Sequence, residues 1–581
     1  MNAPPSPCDF AANAAPASLV ANGVAQIARL LDRLMADLYG PQTVLAQGLL
    51  PPAAVLGDAG YLRALRGVTP LGERHLHMVS VDLAAPPHGS PQVTALHIPA
   101  PFGLAALQGE AGLAARRAFL EALQSHTPAG RRAHLALLTP GPYNPAYAQH
   151  ALLAQQLGID LVEGRDLLVR NQRLYLQALQ GWVPVHILLH ALDDAYLDPL
   201  ELRADSTLGV PGLVQAVRAG HVLVVQVPGA GLLQSPALQT CLAALAPALL
   251  GEPLVLPVAA EQPVATQRWV ALADGAHGWQ VVPGALAAPA QPAAVAVRPV
   301  ATRRAGENLY WLGRYTERAT HTAQLAHVAQ QALSGAQQPT SAPLHAWIVQ
   351  MQTHLGGPAA ARLEYNLRAM HLAATALRER FTHSHWERLL RTVEDARHNE
   401  LAHTLAGLAE LTQAQHQDMA HDAAWQLMGI GRSIERLDNL SQTLLAALET
   451  GAATDPTGAH AVAQLLGTLP QRMDLQSLLT HSVADPHNPR SLATVVQALR
   501  TQLAGLPSGD SDAMAPRFAA LPDPTLWLAL AHGRPSTSLD EARTALTERL
   551  RHAGQCARQL ADAVTAQYFN QGPSGEPLTG A

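Results

Sequence analysis

The residues of this chain best suited to chemistry are arginines and carboxylates set at fixed intervals. Arg314, Glu317 and Arg318 stand three and four residues apart, and the same Gly-Arg-x-x-Glu-Arg pattern returns at Arg432, Glu435 and Arg436. On a helix this spacing puts the three side chains on one face. Glu307 and Tyr310 extend the first face backwards and His321 extends it forwards. Such a set has two uses, and the pattern leaves both open. It forms a buried Arg–Glu network that fixes helix register, or it lines a site for phosphate or carboxylate between helices. The glycine before each arginine would let a neighbouring helix come close, and two like copies suggest pseudo-symmetric halves.

A second constellation is Ala191–Gly212, ALDDAYLDPLELRADSTLGVPG, where Asp193, Asp194, Asp198 and Glu201 crowd near Arg203 and Asp205. Clustered carboxylates repel unless a metal or an arginine neutralises them. The segment follows a strand, which is where open α/β sheets bind ligands. It reads either as a polar pocket for a substrate or Mg2+, or as a solvated acidic turn with Asp198-Pro199 starting a helix. A third is Val227–Ser235, in which Gly229 and Gly231 follow a strand and Ser235 closes the loop. Backbone N–H groups there would suit an anion; an ordinary turn fits equally well.

The elements that must position these residues alternate in kind. A helix is expected over Ser18–Leu38, where Val24, Ile27, Leu30, Leu31, Leu34 and Leu38 recur at helical steps before Gly40-Pro41. Arg131–Pro142 reads as a buried strand and turn, Ala146–Leu157 as a helix and Ile159–Val162 as a strand, which is the unit of a parallel sheet. Val183–Leu189 and His221–Val227 are further strands, with a helix between them over Val210–Ala219. From Ala305 to Tyr568 the pattern becomes long, Leu/Ala/Gln/Arg-rich and helical, the signature of a bundle. The expected organisation is a disordered tail over 1–17, an α/β region over 18–286, an Ala/Pro linker over 287–303, an all-α region over 304–569 and a disordered tail over 570–581.

Composition narrows the function. The chain has 581 residues, 48% of them hydrophobic and 14% charged, enough for two or three packed cores. Cys8, Cys241 and Cys556 are far apart, and neither His186/His190 nor His383/His385 has a third ligand at metal spacing. The net charge of −6 argues against nucleic acid. With neither a secretory signal nor an apolar run of membrane-spanning length, the expectation is a cytoplasmic protein. All 38 basic residues are arginine. Without lysine there is no Schiff base, lysine general base or P-loop lysine.

Several stretches resemble known families. Glu307–Ala319 (ENLYWLGRYTERA), GIGRSIERLDNL and Asp485-Pro486-His487-Asn488-Pro489-Arg490-Ser491 resemble the alpha-E domain family, over roughly Arg304–Phe569. DLYGPQTVLAQGLLPP, LLTPGPYNPAY, LVEGRDLLVRNQRLYL, the acidic segment and GAGLLQSPAL resemble, in this order, the circularly permuted ATP-grasp type 2 family, which is often fused to an alpha-E domain. The resemblance implies ATP-dependent ligation of a carboxylate to an amine through an acyl phosphate, with Mg2+ on the phosphates. It departs from that family in three ways. The family's phosphate-gripping lysine has no counterpart. His190 and Ala191 replace an arginine pair. The chain also runs from Leu254–Pro257 almost directly to the linker, where the family continues through a sizeable segment bearing acidic metal ligands. The expectation is therefore a degenerate member that binds a peptide or protein partner. A companion ATP-grasp, transglutaminase-like or proteasome-related protein is the associated partner class, with neither nucleic acid nor membrane. The alternatives are an active atypical ligase using ATP and Mg2+, and a non-catalytic helical adaptor.

Overall fold

The computed structural model describes residues 17–84, 90–98, 102–105, 107, 109–126, 133–179, 181–259, 267–275, 278–285, 301–334, 341–398, 400–467, 475–506, 521 and 539–569. Both expected tails, except Ala17, and residues 287–300 of the expected linker lie outside these. The described residues fall into two compact units, one within 1–177 and 182–300, the other within 178–181 and 301–581.

The first unit is α/β. Helix α1 (Ala17–Tyr39) buries Val24, Ile27, Leu30, Leu31, Leu34 and Leu38, the apolar stripe read from the sequence. It packs on an antiparallel sheet of β1 (Met78–Ala84), β2 (Gln92–His97), β10 (Gln267–Asp274) and β11 (Gly278–Gly284), in the order β11-β10-β1-β2. Cross-strand neighbours Asp82 and Arg268 form a bidentate pair at 2.7 and 2.9 Å. Burial pushes the Asp82 carboxyl up, but Arg268 and His97 outweigh it and hold the group at about 2.

The second sheet is parallel, in the order β4-β3-β8-β9: β3 (Leu135–Leu138), β4 (Asp160–Val162), β8 (Ile187–His190) and β9 (Leu223–Val225). Alternate residues serve opposite faces. Leu135, Leu137, Ile187, Leu189, Leu223 and Val225 join one core with Phe119 and Leu123 of α2 (Gly109–Gln124) and Tyr147 and Leu157 of α3 (Tyr147–Leu157). Ala136, Leu138, Leu188 and Val224 join another with Leu213 and Val217 of α4 (Leu213–Arg218). Both faces are buried, which is why these strands read as unbroken apolar runs. Val183–Leu189, expected as one strand, is divided: Gly181–Pro184 is β7 of a three-stranded sheet with β5 (Leu167–Arg170) and β6 (Arg173–Ala178), and β8 begins at Ile187. Helix α5 (Pro236–Leu250) follows β9.

The second unit is helical: α6 (Arg303–Ser334), α7 (Ala342–His354), α8 (Ala359–Thr375), α9 (His383–Arg397), α10 (Leu401–Gln417), α11 (Ala423–Thr450), α12 (Pro456–Leu466), α13 (Leu492–Ala504) and α14 (Leu539–Val564). Asp422, Ser341, Thr382, Asp455 and Ser491 cap their helices by accepting a backbone N–H. Long helices α6 and α11 form the central pair. Among the described residues, no helix is long and apolar enough to cross a membrane.

Candidate functional site

In the α/β unit, strand order reverses at β3, since β4 lies on one side and β8 on the other. Ligands of such sheets bind beyond the carboxyl ends of the strands at this switch. The acidic segment leaves β8 and the glycine loop leaves β9, so both sequence-predicted constellations reach that end. They meet through one residue. Asp194 Oδ2 accepts the N–H of Gly229 at 2.8 Å and of Gly231 at 3.1 Å. Gly229 has φ 93°, a left-handed conformation that turns its N–H towards the carboxylate without steric cost. Tyr39 closes over the loop, its hydroxyl donating to Gly229 O at 3.4 Å and accepting Leu62 N–H at 3.0 Å.

His190 completes this arrangement. Its ring is fully buried, and both nitrogens face carbonyl oxygens at 3.0 Å, Leu192 O from Nδ1 and Gln226 O from Nε2. Nε2 also stands 3.8 Å from Asp194 Oδ1. Burial pushes Asp194 up from its ordinary range, against the pull of His190 and the two glycine N–H groups. The loop shaped for an anion thus holds the chain's own carboxylate.

The remaining acids go separate ways. Asp198 is fully buried and accepts the N–H groups of Leu200, Gly212 and Val214, tying its turn to the start of α4. Glu201 pairs with Arg218 at 2.6 Å, and Arg203 pairs with Asp205 at 2.7 Å while lying over the Tyr196 ring. Asp193 is exposed, and Ser235 precedes α5 without capping it through its side chain. Among the described residues no three His, Cys, Asp or Glu side chains are grouped as metal ligands. Replacing Asp194 by alanine will orphan two N–H donors and cost about 2–3 kcal/mol, read as a lower urea midpoint. Asp194→Asn, which keeps one acceptor oxygen, will recover about half of the loss. A midpoint equal to that of the parent would show that the carboxylate does not hold the loop.

In the helical unit the two arginine–glutamate repeats face each other and exchange partners. Glu435 accepts Arg314 Nε at 2.9 Å and Arg318 Nε at 2.6 Å, while Glu317 accepts Arg436 Nε and Nη2, both at 2.7 Å. The helices touch reciprocally. A Cβ on Gly313 would lie 2.1 Å from Met428 O, and one on Gly431 would lie 2.3 Å from Tyr310 O. Tyr310 and Met428 hold equivalent places in the two copies. The exchange breaks at Arg432, the counterpart of Arg314. Buried Arg432 donates to Gln415 Oε1 and to His416 Nε2, the latter at 3.0 Å, and burial lowers it to about 10. Glu307 lies on α6 near its start. Arg490 and Asn439, described below, carried no individual signal beyond the Asp485–Ser491 motif and a helical position.

Together these features define a two-part protein, an α/β unit with a carboxylate-filled glycine loop followed by a helical unit built on a duplicated Arg–Glu motif. Residues 17–110 and 108–268 match the family described as circularly permuted ATP-grasp type 2, and residues 302–569 match alpha-E, a predicted alpha-helical domain with a conserved ER motif. The chain is thus a fusion of a circularly permuted ATP-grasp type 2 region with an alpha-E domain. An uncharacterized protein of Mycobacterium tuberculosis is 26% identical over 773 positions, covering 99% of this chain and 86% of its own length. That span exceeds the 581 residues of this chain, so part of the relative has no counterpart here. Another uncharacterized M. tuberculosis protein is 34% identical over 229 positions, and one from Synechocystis is 32% identical over 234, covering 42% and 48% of their own lengths.

Proposed function

We propose that this chain is a degenerate relative of ATP-dependent carboxylate–amine ligases, acting in the cytoplasm as a binding or companion protein for a peptide or protein. One observation carries the reading: the glycine loop at the sheet's ligand-binding end is filled by Asp194, which accepts the N–H groups of Gly229 and Gly231. The Asp194 carboxyl takes the two N–H donors that a phosphate in the same place would need. The wider chemistry agrees. No lysine exists to grip a triphosphate, Asp198 is bound by three backbone N–H groups, and the other acids are paired or dispersed. Each lost charge-assisted contact removes about 1.5–3 kcal/mol of affinity.

The reading is tested by calorimetric titration of the full chain with ATP and Mg2+. No heat of binding is expected in the micromolar range. Micromolar, Mg2+-dependent binding would overturn it and favour an atypical active ligase.

A further inference from the structure

A small, partly open cleft of about 40 Å3 lies beside the Arg–Glu exchange in the helical unit, lined by Glu317, His321, Arg436, Asn439 and Arg490 among others. Four observations describe its chemistry. Arg490 comes from the Asp485–Ser491 turn. There Asp485 Oδ1 accepts His487 N–H, Asn488 Oδ1 accepts Arg490 N–H, and Ser491 donates to Asp485 O at 2.6 Å while capping α13. The turn therefore fixes the backbone from which Arg490 reaches, and its guanidinium lies over Gly467 at the end of α12. Among the described residues this guanidinium has no ion-pair partner, although it sits close enough to Glu317 to act on its charge.

Second, the Nδ2 of Asn439, on α11, is buried and has no hydrogen-bond partner among the described residues. A buried amide donor left without an acceptor is costly unless something supplies one. Third, Arg436 gives Glu317 its Nε and Nη2, leaving Nη1 with no described partner. Fourth, burial keeps the His321 ring neutral, lowering it to about 4. Glu317 alone contributes negative charge to the lining, against Arg436 and Arg490. Burial pushes Glu317 up, but Arg436, Arg432 and Arg490 together hold it below its ordinary value. The lining is net positive, and Asn439 Nδ2, Arg436 Nη1 and the Arg490 guanidinium are donors without a described acceptor.

We propose that this cleft is a binding site for an oxyanion, the carboxylate or phosphate group of a small ligand or peptide end, gripped by Arg490 with Asn439 Nδ2 and Arg436. The Arg–Glu exchange then holds Arg436 in place, and the Asp485–Ser491 turn supplies the arginine that closes the site. The site is independent of what the α/β unit does with nucleotides.

The full chain is titrated calorimetrically with sodium phosphate, with the dipeptide Ala-Ala and with the C-terminal amide of Ala-Ala. Saturable binding of phosphate or of the dipeptide acid is expected. Binding of the acid but not the amide identifies a peptide carboxylate as the preferred source, and binding of phosphate alone identifies a phosphoryl group. Arg490→Ala should weaken binding about tenfold or more, the loss of one charge-assisted contact. Its thermal midpoint should stay unchanged, since Arg490 is exposed. Asn439→Leu should weaken binding as well. Arg368→Ala, which removes an exposed arginine of α8 paired within its own helix, should not. Absence of binding by both anions, or equal binding by Arg490→Ala and the parent, would overturn the proposal.

Discussion

Replacing Glu435 by glutamine will destabilise the helical unit by on the order of 3–5 kcal/mol, the cost of removing one member of a buried ion-pair set. Glu435 is 5% exposed and is the shared acceptor of Arg314 and Arg318. Glutamine keeps one carbonyl oxygen but turns an amide N–H2 towards a guanidinium, so one arginine loses its acceptor and both lose their counter-charge. Arg314 has few other partners: its Nη1 donates to Tyr310 OH at 3.3 Å and its guanidinium lies near the Trp311 ring. The effect is read as a lower urea midpoint of the helical signal. The reciprocal test separates charge from packing. The triple variant Glu435→Leu, Arg314→Met, Arg318→Met removes the set as a whole and should recover most of the loss, because apolar side chains of similar volume fill the same space without desolvated charge. A triple variant as unstable as Glu435→Gln would mean that the ion pairs themselves, and not the unmet charges, hold α6 and α11 together.

How much of this was legible in the sequence depended on the range of the interaction. The α1 stripe and the apolar runs of β3, β8 and β9 were readable because periodicity is local. The helical unit was readable from its repeats, since Arg314, Glu317 and Arg318 share a face through short spacing alone. The exchange between the copies was not, because one helix cannot show whether its carboxylate serves its own arginines or those of the other copy. The same limit hid the antiparallel sheet, whose central strands β1 and β10 lie at opposite ends of the α/β region. It also hid the hairpin of β5 and β6, although Asn171 and Gln172, at φ 51° and 61°, mark its turn. The acidic segment illustrates the reverse case. Its carboxylates are adjacent in sequence and suit either one pocket or an acidic turn, and backbone geometry sends Asp198 to the start of α4 and Asp194 to the glycine loop. A cluster of acids is a metal site only if the turns between them aim the oxygens at one point.

Stability will fall in both units as pH drops from about 6.5 towards 4. Burial lowers His77 to about 3, and His150, His321 and His385 to about 4. His77 and His150 belong to the α/β unit, His321 and His385 to the helical one. In the unfolded chain each returns to an ordinary value near 6.5 and binds a proton that the folded state refuses. The unfolded state then holds more protons, so stability rises with pH across this window and falls on acidification. Each full shift is worth on the order of 3 kcal/mol at the acid end, at 1.36 kcal/mol per pH unit. The lowered carboxylates act later. Asp82 and Glu317 stabilise the fold above the ordinary carboxylate range, and that contribution is lost only as pH falls through their own depressed values. Urea midpoints measured from pH 7 to pH 5 should therefore decline steeply, with net proton uptake on unfolding. His77→Phe should flatten the decline of the α/β transition, because it removes the proton site while keeping a ring against His126. His321→Gln should flatten the helical transition. Midpoints that stay constant from pH 7 to pH 5 would show that these rings are protonated in the folded chain.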